Sequence, residues 1–159
     1  MRVIGANTFR NCSFIEEIII PNSVVLIEEN AFDGCTKLKQ INIPDSVEII
    51  GKAAFCNCSS LKTIDLHSCS INSIEIDLFN GCSNITKIII PDSVIKIGAG
   101  SFSHCVNLDQ INLPNLISFI GDGAFYQCEK VLQITIPPFV NSIKSSCFMN
   151  CSSLEQIQL

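Results

Sequence analysis

The stretch AFDGCTKLKQINIPDSVEIIGKAAF, residues 31–55, begins and ends on the same dipeptide, Ala-Phe, spaced by 23 residues. Its phenylalanine and the cysteine three residues on recur along the whole chain as Phe9/Cys12, Phe32/Cys35, Phe55/Cys58, Phe79/Cys82, Phe102/Cys105, Phe125/Cys128 and Phe148/Cys151. The steps are 23, 23, 24, 23, 23 and 23 residues. Self-similarity at such a period marks one supersecondary unit that cannot bury its apolar face alone and must stack on its neighbours. The 159 residues therefore read as one solenoid domain of about seven rungs, with no recognisable polar capping unit at either end.

Within the template, Leu38, Ile41 and Ile43 recur as Ile15/Ile18/Ile20, Leu61/Ile64/Leu66, Ile85/Ile88/Ile90, Leu108/Ile111/Leu113, Val131/Ile134/Ile136 and Leu154/Ile157/Leu159. The last two of each set are two apart and point the same way from a strand, so this segment predicts a first parallel sheet. Proline follows at Pro21, Pro44, Pro91, Pro114 and Pro137, where the chain can leave the ladder without wasting a donor. A second apolar pair, Val24/Ile27, Val47/Ile50, Ile71/Ile74, Val94/Ile97, Ile117/Ile120 and Val140/Ile143, with Ile4 as the remnant of a first, predicts a short extended segment on the opposite wall. The next position holds Gly5, Glu28, Gly51, Glu75, Gly98, Gly121 or Lys144, so it demands compactness rather than a positive φ. In A-F-x-[NG]-C, the Asn or Gly suits a left-handed stop, which predicts one short turn of helix; His104 and Gln127 depart from that pattern.

Composition excludes several classes. Pro21 and the Glu16-Glu17 pair cut the densest apolar run, and no stretch approaches the length of a membrane-spanning helix. The opening MRVIGANTF lacks the pattern of a secretory signal, although a chain that starts and stops partway through a repeat is expected to be a fragment of something longer. A net charge of −5, with ten dispersed Lys and Arg, offers no cationic stripe for nucleic acid.

Seven of the ten cysteines are the repeat cysteine. Side chains in register on successive rungs point the same way, which is poor geometry for a disulfide and suits a buried column of thiols. Cys56, Cys69 and Cys147 add no paired spacing of the zinc type, so no metal or other cofactor is expected. The unpaired thiols favour a reducing, cytoplasmic compartment. His104 beside Cys105 and His67 near Cys69 are neighbours in sequence whose side chains diverge, so no catalytic pair is expected and the chain reads as non-enzymatic. Asn11, Asn57, Asn84 and Asn150 satisfy the glycosylation pattern, yet three of them fall on the repeat template, which accounts for them without glycans.

Outward-facing strand positions are free of packing duty and form two columns. One is Glu17, Gln40, Thr63, Lys87, Gln110, Gln133 and Gln156; the other is Ile19, Asn42, Asp65, Ile89, Asn112, Thr135 and Gln158. At strand spacing this face is about 29 Å long, and its many amides suit hydrogen bonding to a polypeptide. Ile4 and Phe9 at one end, and Leu154, Ile157 and Leu159 at the other, leave apolar half-rungs, so the chain is expected to form a homo-oligomer through its ends.

The pattern L-x-x-I-x-I-P-x-S-V-x-x-I-G-x-x-A-F-x-x-C, present in seven in-phase copies, resembles the BspA-like, or Treponema pallidum-type, leucine-rich repeat. The resemblance implies an α/β, β-rich leucine-rich-repeat solenoid: a right-handed curved superhelix with its parallel strands on the concave face and helical turns on another wall. It also implies a role in protein recognition or adhesion, and brings no catalytic residues. Two versions of that role are a fragment of a microbial or protist cell-surface adhesin and an intracellular regulatory subunit docking on an enzyme. The fourth repeat departs from the pattern: it has one residue more, His67 where Pro is expected, Leu78 in the small-residue position, and the added Cys69. A bulge or widened loop is expected at residues 67–74.

Overall fold

The extended segments of the repeat do become strands, and the short period does stack them. The structure, a computed structural model, describes residues 2–159. It is a β-solenoid of the leucine-rich-repeat type, with about seven turns of parallel strands. Numbered in chain order, one wall carries β1 (Val3–Ile4), β3 (Leu26–Ile27), β5 (Ile49–Ile50), β7 (Ser73–Ile74), β9 (Lys96–Ile97) and β11 (Phe119–Ile120). The Leu-x-x-Ile-x-Ile segments form the other, with β2 (Glu17–Ile19), β4 (Gln40–Asn42), β6 (Thr63–Asp65), β8 (Lys87–Ile89), β10 (Gln110–Ile111), β12 (Gln133–Thr135) and β13 (Gln156–Gln158).

All pairings are parallel and keep the repeat register: Ile18 faces Ile41, Ile64 faces Ile88, and Ile134 faces Ile157. The 24-residue step falls between β6 and β8 on one wall, while β7 and β9 are 23 apart on the other. The extra residue is thus absorbed between β6 and β7, in the irregular residues 66–72.

The third wall differs from the expected helical turn. No helix occurs among the described residues, and the segment is a chain of tight turns. In the first coil, the N–H groups of Thr8, Arg10 and Cys12 donate back to the carbonyls of Gly5, Asn7 and Phe9. The alternate ones, from Asn7, Phe9 and Asn11, leave the coil and donate to Glu29, Ala31 and Asp33 of the next at 2.7–3.0 Å. A helix would spend every N–H within its own segment; here half of them run along the solenoid axis and bind coil to coil.

Two left-handed residues per coil make the zigzag possible. One column is the anticipated stop, Asn11, Gly34, Asn57, Gly81 and Asn150, and His104 and Gln127 adopt the same positive φ despite their side chains. The second, four residues earlier, is Asn7, Asn30, Ala53, Asp77, Gly100, Gly123 and Ser146. The glycine position after the second strand obeys a different constraint: Gly51 has no positive φ, but a Cβ there would lie 2.6 Å from the backbone nitrogen of Glu29. Close approach of the preceding coil selects glycine here, as at Gly98 and Gly121, while Glu28, Glu75 and Lys144 in the same column speak against a required positive φ.

The core is a set of columns rather than a cluster. Phe32, Phe55, Phe79, Phe102 and Phe125 are essentially fully buried, and all seven repeat phenylalanines stack ring on ring at centroid spacings of 5.2–5.9 Å. Phe79 has a ring on each side, whereas Phe9 has one neighbour and is only partly buried. Phe79→Ala is therefore expected to cost about 3–5 kcal/mol, as large buried aromatic truncations do, and Phe9→Ala distinctly less. Urea unfolding monitored by circular dichroism checks both, and equal losses would contradict a nearest-neighbour stack.

Candidate interaction face and the thiol column

The first wall presents the two predicted columns outward. Glu17, Gln40, Thr63, Lys87, Gln110, Gln133 and Gln156 are exposed, and so are Ile19, Asn42, Asp65, Asn112, Thr135 and Gln158, while Ile89 is half-buried. Between them Ile64, Ile88, Ile111 and Ile134 point into the core. Shallow grooves lie along this wall, from Glu17 and Ile18 at one end to Gln156 and Gln158 at the other.

The side chains on the face are not equally available. Asn42 closes the end of the neighbouring strand: its Oδ1 accepts from the Ile20 N–H at 3.0 Å and its Nδ2 donates to the Ile20 carbonyl at 3.4 Å. Asp65 accepts from the backbone N–H of His67 at 2.9 Å and pairs with His67 Nδ1 at 3.2 Å, taking over the turn that Pro makes in other coils. Glu16 and Lys39 form an exposed pair at 2.8 Å, which holds the Glu16 carboxyl below its ordinary pKa. By contrast, Gln110, Asn112, Gln133 and Gln156 make no side-chain hydrogen bond among the described residues, and Thr135 shares only a long one, 3.4 Å, with Gln158. Asn112, Asn115, Gln133, Thr135, Gln156 and Gln158 line a groove of about 300 Å³ floored by Ile111, Leu113 and Ile134, and no ionisable side chain borders it.

The end residues proposed for self-association fall in different environments. Leu159 is 89% exposed and Ile157 41% exposed, Phe9 and Leu154 are partly buried, and the Ile4 side chain is buried in the core.

Asp65, His67 and Ser68 deserve a chemical test, since their sequence order and contacts resemble an acid–base–hydroxyl series. Ser68 Oγ lies 3.1 Å from His67 Nε2 but also 3.4 Å from Nδ1. Near-equal distances to both ring nitrogens place the hydroxyl off the lone-pair axis of either, so proton transfer from serine to a base is not set up. His104 and Cys105 diverge as expected: the imidazole packs edge-on against Tyr126 at 5.3 Å, and the thiol is buried.

The repeat cysteines have a role that spacing alone did not disclose. Each thiol from Cys35 onward donates to the phenylalanine carbonyl of the preceding coil, Cys35 to Phe9, Cys58 to Phe32, Cys82 to Phe55, Cys105 to Phe79, Cys128 to Phe102 and Cys151 to Phe125, all at 3.1–3.3 Å. The same carbonyls accept the cysteine N–H of their own coil, for example Cys82 N–H to Phe79 at 3.1 Å. A thiol is apolar enough for the core yet still a donor, so it fills the second lone pair of each carbonyl without burying a hydroxyl. Burial raises the thiol pKa along the column, to about 11 at Cys35 and well above the ordinary range at Cys58, Cys82 and Cys105. Outside the column, Cys56 and Cys69 are pushed up to about 11 and Cys147 to about 12, again chiefly by burial. No His, Cys, Asp and Glu group among the described residues could hold a metal ion, and no helix of the structure is long and apolar enough to cross a membrane.

Known proteins share this architecture. The BspA type Leucine rich repeat region matches in six copies, over residues 2–91 and 72–159. A leucine-rich-repeat protein of Treponema pallidum is 29% identical with a TM-score of 0.65, covering 99% of this chain and 63% of its own. One from Eubacterium ventriosum is 29% identical with a TM-score of 0.77, over 86% of this chain and 37% of that one. One from Bacteroides ovatus is 27% identical with a TM-score of 0.69, over 100% and 41%. The chain thus spans between about a third and two thirds of the length of these solved relatives. No curated protein matches it significantly.

The thiol environment sets a pH dependence. An acid whose folded pKa is raised keeps its proton in the native state while the unfolded chain loses it, so stability falls as pH climbs above the unfolded thiol value near 9. Each fully buried thiol contributes a slope of roughly 1.4 kcal/mol per pH unit above that point. Urea midpoints are expected to drop between pH 8 and pH 10, and less steeply in Cys105→Ala than in the parent chain. Equal slopes in the two would contradict the thiol assignment.

Proposed function

Because the chain belongs to the BspA-type leucine-rich-repeat family, we propose that it is a non-enzymatic interaction module that binds a protein partner along the wall of β2, β4, β6, β8, β10, β12 and β13. The observation that carries this reading is the groove between Ile111 and Gln158. Its amides and Thr135 offer donors and acceptors that few bonds within the fold use, over an apolar floor and without charge. That chemistry suits the backbone and neutral side chains of an extended polypeptide, whose own amide groups supply the complementary pairs. The curvature expected of the family makes this wall the concave one, and the distribution of grooves along it is in keeping with that. The remaining face residues, from Glu17 to Ile89, extend the contact area, while Asn42 and Asp65 are already spent on backbone and contribute shape more than bonds. Self-association belongs to the same proposal for this 159-residue chain: Ile157 lies in β13 and Leu159 directly after it, both exposed, β13 is bonded only to β12, and an open strand edge above apolar side chains recruits a second copy.

Random peptides displayed on phage and selected on the chain test the binding site. The selected sequences are expected to be uncharged, and their binding is expected to change little between low and high salt, because screening acts on charges. The triple variant Asn112→Arg, Gln133→Arg, Gln156→Arg should weaken them at least about tenfold, or 1.4 kcal/mol, with circular dichroism unchanged. Selection of charged peptides, or undiminished binding by the variant, would overturn the assignment. Light scattering after size exclusion at micromolar concentration tests self-association, with Ile157→Lys expected to move the mass towards that of a monomer.

A further inference from the structure

At three of the four ends of the strand walls, the coil-to-coil hydrogen bonds stop at the same two places. At the start of the first wall, an N–H from each coil reaches back to the equivalent carbonyl one coil earlier: Lys39 to Glu16 at 2.8 Å, Thr86 to Lys62 at 2.9 Å, Asp109 to Thr86 at 3.2 Å and Glu155 to Leu132 at 2.9 Å. The equivalent bonds from Lys62 and Leu132 are absent among the described residues. Entering the second wall, Glu48 reaches Val25, Ile95 reaches Asn72 and Ser118 reaches Ile95 at 2.9–3.0 Å, but Asn72 and Asn141 reach nothing equivalent. Leaving it, Gly51 reaches Ile27, Gly98 reaches Ile74 and Gly121 reaches Ile97 at 2.7–2.9 Å, whereas Glu75 and Lys144 do not.

Three independent positions therefore agree. Between the coils of Phe32 and Phe55, β4 is unpaired with β6 and β5 with β7; between those of Phe102 and Phe125, β10 is unpaired with β12, and residues 140–143 form no strand. The turn wall crosses both junctions without interruption. Phe32 N–H donates to Ala54 and Phe102 N–H to Ala124 at 2.8 and 2.9 Å, and the rings at these junctions stack at 5.3 and 5.2 Å.

Each break has a cause in the sequence. At the first, Cys69 is one residue more than the 23-residue period allows and His67 replaces the proline; Ser70 N–H to Val47 at 3.3 Å is a displaced remnant of the ladder. At the second, Pro137-Pro138-Phe139-Val140 replaces the Pro-Asp-Ser-Val of the template. The template serine ties coils together, Ser46 Oγ to the Val24 carbonyl at 2.7 Å and Ser93 Oγ to that of Ile71 at 2.6 Å; Phe139 cannot, and since Leu116 lacks the bond too while β11 stays paired with β9, Pro138 together with Phe139 sets this coil apart.

We infer that the solenoid consists of three stiff blocks joined by two compliant seams, each hinged on the turn wall and free to open on the strand walls. Bending about such a hinge widens or narrows what lies on the opposite side. Grooves straddle both seams: Lys39, Gln40 and Ile41 face Lys62 and Thr63, and Ile41, Asn42 and Ile43 face Asp65, His67 and Ser68, across the first, and the amide groove spans Ile111 and Gln133 across the second. The seams thus adjust the width of the binding face along its length, and their existence does not depend on what that face binds.

Residue-resolved amide exchange by NMR on the unliganded chain tests this. Amides at the seams, Lys62, Asn72, Glu75, Leu132, Asn141 and Lys144, are expected to exchange at least about tenfold faster than the equivalent Lys39, Ile95, Gly98 and Thr86, because local opening needs no break in the turn wall. Equal protection at the two sets would overturn the inference. Repair of the first seam alone, by deleting Cys69 together with His67→Pro, should slow Asn72 and Glu75 to the template rate and leave Asn141 and Lys144 fast. A repaired chain that folds and still exchanges fast at Asn72 would also overturn it, and if the repair prevents folding, the comparison within the parent chain decides.

Discussion

The structure depends on the phenylalanine carbonyl of each coil. From Phe32 to Phe125 it accepts two donors, the cysteine N–H of its own coil and the cysteine S–H of the next, and the side chain stacks on both neighbouring rings. A carbonyl with both lone pairs filled and shielded by aromatic rings is a stable element in an apolar interior. Repetition of that element at every coil turns the wall into a continuous spine, to which the strand walls are attached. The spine holds even where the strands separate, so single junctions can loosen without the stack falling apart.

Much of this was legible in the sequence because the constraints are periodic. The strand positions, the phenylalanine column, the inward isoleucines, the compact position of Gly51 and the disturbance at residues 67–74 all follow from residue types recurring in phase. The helical turn did not survive, for a physical reason: Asn11, Gly34 and Asn57 signal a left-handed residue, but a left-handed residue ends a turn of any kind. The second column carried the same signal at Asn7, Asn30, Asp77, Gly100 and Gly123, residue types that accept a positive φ, but Ala53 and Ser146 interrupt it, and there stacking holds the conformation against propensity. The thiol donors were likewise hidden, since spacing shows a column of cysteines but not the carbonyl each one meets. Asn42 looked like a contact residue because it alternates outward, yet its amide is consumed by the Ile20 backbone.

The division of labour follows from these geometries. The turn wall carries cohesion, with buried thiols whose raised pKa keeps them protonated and poor nucleophiles. The strand wall carries exposed side chains on short strands, where a substitution leaves the spine untouched. Within that wall, Asn42 and Asp65 are committed to their own fold, whereas Gln40 and Thr63, like Gln110, Asn112, Gln133 and Gln156, make no side-chain hydrogen bond among the described residues. A family that varies only the outward positions of such a wall can change partners while keeping one scaffold.

The phenylalanine spine couples each coil to its immediate neighbours and to no coil beyond them. Double-mutant cycles in urea test it most directly, with Phe79→Leu and Phe102→Leu as the adjacent pair and Phe55→Leu and Phe125→Leu as the distant one. The account predicts a coupling of about 0.5–1.5 kcal/mol for the adjacent pair and additivity for the distant pair. Additivity in both pairs, or equal coupling in both, would contradict it.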